Sequence, residues 1–264
     1  MIDPTAQIHP SAVVEEGAVV GPDCVIGAFC YIGPEVKLGA RTELRSHVVI
    51  TGQTSMGDDN VVFSFAVIGE IPQDKKFDGE KTRLEIGARN RIREHVTMNT
   101  GTQGGGGLTK VGDDGLFMAG CHIAHDVNIG NNVIVVNSAA LAGHCIIEDD
   151  VIIGGLSGIH QFVRIGKGAI IGAVSMVTND VIPHGLVQGP RGQLDGLNLV
   201  GLKRKGVARR DITALRAAFQ MLAQGDGAFQ DRARRLSEDT DSAYVREVVD
   251  FVLGASDRSF LTPR

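Results

Sequence analysis

Residues 2–39 read IDPTAQ IHPSAV VEEGAV VGPDCV IGAFCY IGPEVK LG, and written in sixes they place a large apolar residue at the head of every block. The same step continues from Ile2 and Ile8 through Leu38 and Leu44 to Ile68, an unbroken run of twelve such residues that chance does not produce. The pattern returns at Ile86, Ile92 and Met98, shifts phase, and runs from Val111 through Phe117 and Ile123 to Val177 before stopping at Pro183. A fixed short period outweighs local propensity in deciding a fold.

Two residues before each apolar head lies a second inward slot filled by small side chains, among them Ala6, Ala12, Ala139 and Ser157, and all four cysteines (Cys24, Cys30, Cys121, Cys145) fall in it. Gly often follows the head residue, as at Gly21, Gly27 and Gly130, which reads as a permissive backbone position where each short strand turns. This is the hexapeptide-repeat signature. Three hexapeptides close a triangular coil of 18 residues, and coils stack at the β spacing of roughly 4.8 Å. The sequence therefore predicts a mainly β chain, a parallel β-helix over residues 1–190. Its resemblance to hexapeptide proteins implies left-handed coiling, which periodicity alone does not give. Two insertions, 70–84 and 101–110, interrupt the ladder, and excursions on a rigid solenoid commonly carry function.

Composition agrees with this reading. Aromatics make up 5% with no Trp, against 35 Gly, so the core must be built from aliphatic and small side chains. There is no apolar run of the roughly 20 residues that span a bilayer and no signal-like N-terminus, so no transmembrane segment and a cytoplasmic location are expected. The cysteines lack metal-site or disulfide spacing. After Gly189 the period of six gives way to apolar residues three and four apart, predicting an α-helical domain over 191–264 with helices in 209–224 and 241–253. This tail holds 13 Lys and Arg against 10 Asp and Glu, leaving 13 against 21 for residues 1–190. Such a basic tail suits a phosphate or an acidic protein partner, whereas no nucleic-acid partner is expected of a chain with net charge −5.

An 18-residue coil stacks residues 18 apart. His125 then lies against Gly143 and Gln161, Asp126 against His144 and Phe162, and Ala142 against His160, with His122 close by. Two chemistries suit this cluster. One imidazole can serve as a general base oriented by the carboxylate, with the Gly143 N–H facing a developing oxyanion. Alternatively, three imidazoles can hold zinc, as in the γ-class carbonic anhydrases, making a metal-dependent hydratase. The His122-x-x-His125 spacing differs from the H-x4-H of that class.

The stretches GLTKVG (107–112), HIAHD (122–126), LAGH (141–144), HQF (160–162) and NLVGLKRKG (198–206) resemble the UDP-N-acetylglucosamine acyltransferases of lipid A biosynthesis, as do IGEIPQDKK and IGARNRIREHVT. The likeness covers essentially the whole chain. It implies transfer of an (R)-3-hydroxyacyl group from acyl carrier protein to the 3-position of UDP-N-acetylglucosamine by a homotrimer, without cofactor or metal. It further implies that His125 is the base, Asp126 its partner and Gly143 the oxyanion donor. His122, His144, His160 and Gln161 would line the pocket, joined by Gln73, Asp74 and Lys76 of the first insertion. Asn198 and Arg204 would hold the nucleotide.

Departures from that pattern fall where substrates are chosen. Ala173 stands in place of a Gly and stacks on Gly155, predicting an acyl groove cut short by a methyl and chains under fourteen carbons. Asn99-Thr100 replaces a His-Arg pair and Val200 a Glu, which admits a 3-amino acceptor as the alternative to a 3-hydroxyl.

Overall fold

The computed structural model describes residues 1–263, and the period of six is its architecture. Two-residue strands recur along the coil: Gln7–Ile8 on face I, Val13–Val14 on face II, Val19–Val20 on face III, then face I again at Val25–Ile26. Among the described residues the three faces are parallel sheets of eleven, nine and eight strands, the last two strands of face I pairing antiparallel. The coil is a left-handed parallel β-helix.

Each ladder residue pairs with its equivalent one coil away, as in Ile26↔Leu44 and Val135↔Ile153. These residues are sealed from water, including Ile26, Leu44, Ile92, Phe117 and Leu141. The four cysteines are buried with them, and burial pushes the Cys121 and Cys145 thiols up to about 12, so they behave as small apolar fillers.

The turn chemistry differs from the sequence expectation. Among the described residues eighteen non-glycine residues have φ between +56° and +66°, and every one stands three residues past its ladder residue, as Asp23 follows Val20 and His144 follows Leu141. The glycine directly after the ladder residue serves a different need. A Cβ on Gly27 would sit 2.8 Å from the Arg45 carbonyl carbon, so glycine is required there because the next coil's backbone occupies the side-chain space.

Both insertions leave the same corner, between faces II and III. Register across the first advances by 30 residues, Gln53↔Arg83, and across the second by 25, Arg83↔Leu108. The excursions are shorter than 70–84 and 101–110, because Arg83–Ile86 and Leu108–Val111 lengthen into four-residue strands that rejoin the ladder.

At the C-terminal end Gln193–Leu197 folds back antiparallel on Gly185–Gln188, covering an edge where helix was expected to begin. Among the described residues four helices follow: α1 (Leu199–Arg204), α2 (Arg209–Gln224), α3 (Phe229–Asp239) and α4 (Ala243–Leu253). They are held to the coil by Glu247 of α4, whose carboxylate meets Lys167 Nζ and His184 Nε2 at 2.9 Å each, and by the Arg164 guanidinium, 4.4 Å over the Phe251 ring. No helix among the described residues is long and apolar enough to cross a membrane.

Replacing Gly27 by Ala should therefore lower the unfolding free energy by about 1–3 kcal/mol. In contrast Val174→Gly, which releases an exposed β-branched residue from φ +58°, should leave it unchanged or raise it by up to about 1 kcal/mol. Urea midpoints in the opposite order would refute this account of the turns.

Candidate active site

The corner between faces II and III stacks Asp126, His144 and Phe162 at its left-handed position on successive coils. The backbone bond from the His144 N–H to the His125 carbonyl, and that from Phe162 to Gly143, lock this register at 3.1 Å each. The positive φ turns these side chains outward from the coil, toward the corner that both insertion loops leave.

Asp126 is the best-held group. Its carboxylate accepts the Thr102 N–H at 2.8 Å, the Thr102 hydroxyl at 2.6 Å and His125 Nδ1 at 2.8 Å, while its own N–H donates to the Thr109 hydroxyl at 2.8 Å. With Nδ1–H committed to the carboxylate, the lone pair of His125 lies on Nε2. The His125 side chain is 13% exposed and Asp126 is 2% exposed, so the pair sits in a low-dielectric recess open on one side. Thr102 and Thr109 belong to the second insertion and the strand closing it. Sequence reading missed both, since the only signal was a Thr on each side of the glycine run.

Gly143 is present for a steric reason. A Cβ there would lie 2.5 Å from His125 Cε1 and 2.7 Å from Nε2, so the imidazole rests directly on the glycine. Among the described residues the Gly143 N–H donates to no protein acceptor. At the corner between faces III and I, the equivalent N–H groups of Ala40, Ala88, Asp113 and Asn131 are taken by side chains of the next coil. The Gly143 N–H is open to a ligand, as are the corresponding N–H groups between faces I and II among the described residues.

His144 stacks on Phe162, ring centroids 4.4 Å apart and planes within 3°, and stands edge-on to His125 at 5.1 Å. Its Nδ1 lies 3.8 Å from Asp126, too far for a hydrogen bond. His122 is held through Nδ1 by the Thr97 hydroxyl at 2.7 Å. Burial is the main cause that pushes both His122 and His144 below the ordinary imidazole value. A groove of about 610 Å³ opens between Asp74 and Lys76 of the first loop, Thr102 and Gln103 of the second, and His144 and Phe162. Gln73 is exposed on the same loop. His160 and Gln161 follow one coil further on, both exposed and both touched by Arg258.

The remaining inferred residues lie on other corners of the same chain. Gly155 and Ala173 stack between faces I and II, linked by the Val174 N–H to the Gly155 carbonyl at 2.9 Å. Asn198 caps α1 and donates to the Gly168 carbonyl between faces III and I, where Lys205 also pairs with Asp150; Arg204 is exposed on that helix. Asn99 is buried and ties down the first loop through the Glu70 and Ile71 carbonyls. Thr82 bonds to Thr100 at the loop's other end, so this departure from the family pattern acts on the loop's anchor. Val200 is exposed on α1.

His125, Asp126 and His144 bring possible metal-ligand atoms within 4.8 Å of one another. Both oxygens of Asp126 already accept hydrogen bonds from Thr102 and His125, and only two imidazoles face the point of closest approach. That donor set fits an oriented base better than tetrahedral zinc.

Residues 180–261 match the family model of the UDP-N-acetylglucosamine O-acyltransferase second domain, and residues 17–52 match that of the bacterial transferase hexapeptide. The chain is 71% identical over 204 residues to the acyl-[acyl-carrier-protein]–UDP-N-acetylglucosamine O-acyltransferase of Paracoccus denitrificans, covering 77% of each chain. It is 46% identical over 201 residues to that of Nautilia profundicola, covering 76% of this chain and 78% of the other. The solved UDP-N-acetylglucosamine acyltransferase of Campylobacter jejuni superposes with a TM-score of 0.92 at 40% identity, over 98% of this chain and all of the other.

The two depressed imidazoles have a measurable consequence. Unfolded, they take up protons as pH falls through about 6.5; folded, they do so only at lower pH. The stability they contribute is present in full above the unfolded value and is lost as pH falls through the folded one. Urea unfolding should show this decline toward acid, and His122→Asn should flatten it. An equal slope in the variant would refute the assignment.

Proposed function

The chain belongs to the UDP-N-acetylglucosamine O-acyltransferase family, and on that footing we propose that His125 and Asp126 carry out its acyl transfer. The enzyme moves an acyl group from acyl carrier protein to UDP-N-acetylglucosamine in lipid A biosynthesis. In our reading the group is an (R)-3-hydroxyacyl chain and the acceptor is the sugar's 3-hydroxyl. The observation that carries the reading is one oriented imidazole resting on a glycine whose N–H is unclaimed.

As His125 Nε2 takes the proton of the sugar hydroxyl, that oxygen attacks the thioester carbonyl. The carbonyl electron pair moves onto oxygen, which the Gly143 N–H receives. Collapse of the tetrahedral intermediate breaks the C–S bond, and the proton on His125 passes to the departing carrier thiol. Asp126 remains the acceptor from His125 Nδ1 throughout and stabilises the imidazolium that forms between the two proton transfers. Asp74 and Lys76 line the groove where the sugar would sit, and His122, His144, His160 and Gln161 supply its walls.

The nucleotide-binding Asn198 and Arg204, the chain-measuring Gly155 and Ala173, and the reacting His125 lie on three different corners of one triangular coil. Acyl donor and nucleotide sugar, meeting at His125, reach all of them only if neighbouring subunits share a site. A homotrimer meets that need, with each interface joining a corner of one coil to a different corner of the next. The outward positions of face II between His125 and Ala173 are small, Ala140 and Gly158, which suits a chain lying along that face. In our reading the reaction runs in the cytoplasm, where a nucleotide sugar and a carrier protein would both be at hand.

Acyl transfer from 3-hydroxyacyl carrier protein to UDP-N-acetylglucosamine should proceed without added metal and survive chelators. His125→Ala should cut kcat by about 10²- to 10⁴-fold with the urea midpoint preserved, and a near-normal rate would end the general-base reading. Among ten-, twelve- and fourteen-carbon donors the optimum should fall below fourteen, and Ala173→Gly should move it upward. A fourteen-carbon optimum in the unaltered enzyme would refute the role of Ala173.

A further inference from the structure

Residues 256–261 return to the active-site corner. Asp180, fully buried, accepts the Arg164 N–H at 2.8 Å, Arg164 Nε at 2.7 Å and the Ser256 hydroxyl at 2.6 Å. Its backbone N–H donates to the Ser259 carbonyl at 2.9 Å, and its carbonyl accepts from Leu261 at 2.8 Å. The Asn179 side chain adds a bond to the Ser259 hydroxyl at 2.6 Å. Residues 256–261 are thus strapped across the end of the coil, and the strap delivers one guanidinium to the site. Arg258 donates from its terminal nitrogen to His160 Nδ1 at 2.8 Å and from Nε to the Gln161 carbonyl at 3.1 Å.

A guanidinium has only donors. A ring nitrogen 2.8 Å from one of them must be the acceptor, so His160 Nδ1 carries no proton and the ring hydrogen sits on Nε2. The competing arrangement, Nδ1–H donating to the Gln161 carbonyl 3.2 Å away, would aim that hydrogen beside the guanidinium, and Arg258 Nε already satisfies the same carbonyl. Cys145 Sγ, donating to the His160 carbonyl at 3.2 Å, fixes the backbone beneath the ring. Among the described residues Nε2 has no protein partner.

We infer that Arg258 is a positioning residue that holds His160 in its Nε2–H form, so that this N–H is the donor His160 offers to the substrate. The inference rests on the reading above that His160 lines the substrate pocket. The flat fork of Arg spans a ring nitrogen and a carbonyl together, which the single ammonium of Lys cannot do.

The test is two-bond ¹H–¹⁵N correlation NMR on ¹⁵N-histidine-labelled, ligand-free enzyme, with His160 identified by the signal lost in His160→Gln. The unaltered protein should show the Nε2–H pattern. Arg258→Met, which keeps the apolar stem and removes every donor, should shift His160 toward Nδ1–H. The same variant should raise the KM of acyl donor or UDP-sugar roughly two- to tenfold, with kcat changed less, and Arg258→Lys should recover part of both. An Nδ1–H pattern in the unaltered protein overturns the proposal without recourse to any variant. So does an Arg258→Met enzyme, folded by its urea midpoint, whose tautomer and KM are unchanged. The tautomer is read without substrate, so it decides the role of Arg258 even if His125→Ala were to undo the catalytic reading.

Discussion

An aliphatic side chain at every sixth position escapes water only where three of them meet inside one coil, and the next coil must then repeat the meeting directly above. This demand for a common 18-residue register governs the molecule. It leaves four residues for each corner, one of which at most corners enters the left-handed region, and it presses successive backbones so closely that Gly27 has no room for a side chain. Left-handed backbone costs a non-glycine residue about 1–2 kcal/mol. Eighteen such residues persist because the stacked core above and below fixes each of them.

The same register makes chemistry from sequence-distant groups. Asp126, His144 and Phe162 are neighbours only because they occupy one corner position on three coils. The insertions depart from that corner and do not disturb the ladder, since the strands after each loop rejoin in step. The second loop thereby comes to rest on Asp126 through Thr102. The rigid part of the protein sets where His125 stands, and the irregular part sets which tautomer it keeps.

Much of this could be read from residue order. The apolar ladder, the buried cysteines and the contact of His125 with Gly143 all follow from counting in sixes and eighteens, because a solenoid turns sequence distance into spatial distance by fixed arithmetic. What escaped was whatever that arithmetic does not reach. Thr102 lies in a loop of seven residues beyond the regular coil length. Arg258 meets His160 across 98 residues through a segment with no repeat. The turn glycines were placed correctly but explained wrongly, since periodicity cannot distinguish a residue needed for its φ from one needed for its missing side chain. The bulk of the strand Gln193–Leu197 was hidden for a related reason: its pairing closes an edge, and nothing in its own pattern announces the partner.

The strap formed by Ser256 and Ser259 also sets an order in time. Each coil needs only the one before it for backbone pairing, so the helix can lengthen turn by turn as the chain leaves the ribosome, from the N-terminus onward. Asp180 completes its set of partners only when residues 256–261 arrive, after all four helices have been made. A chain that ends before residue 256 therefore holds the coil but leaves the Asp180 carboxylate without its Ser256 partner and the end of the coil open.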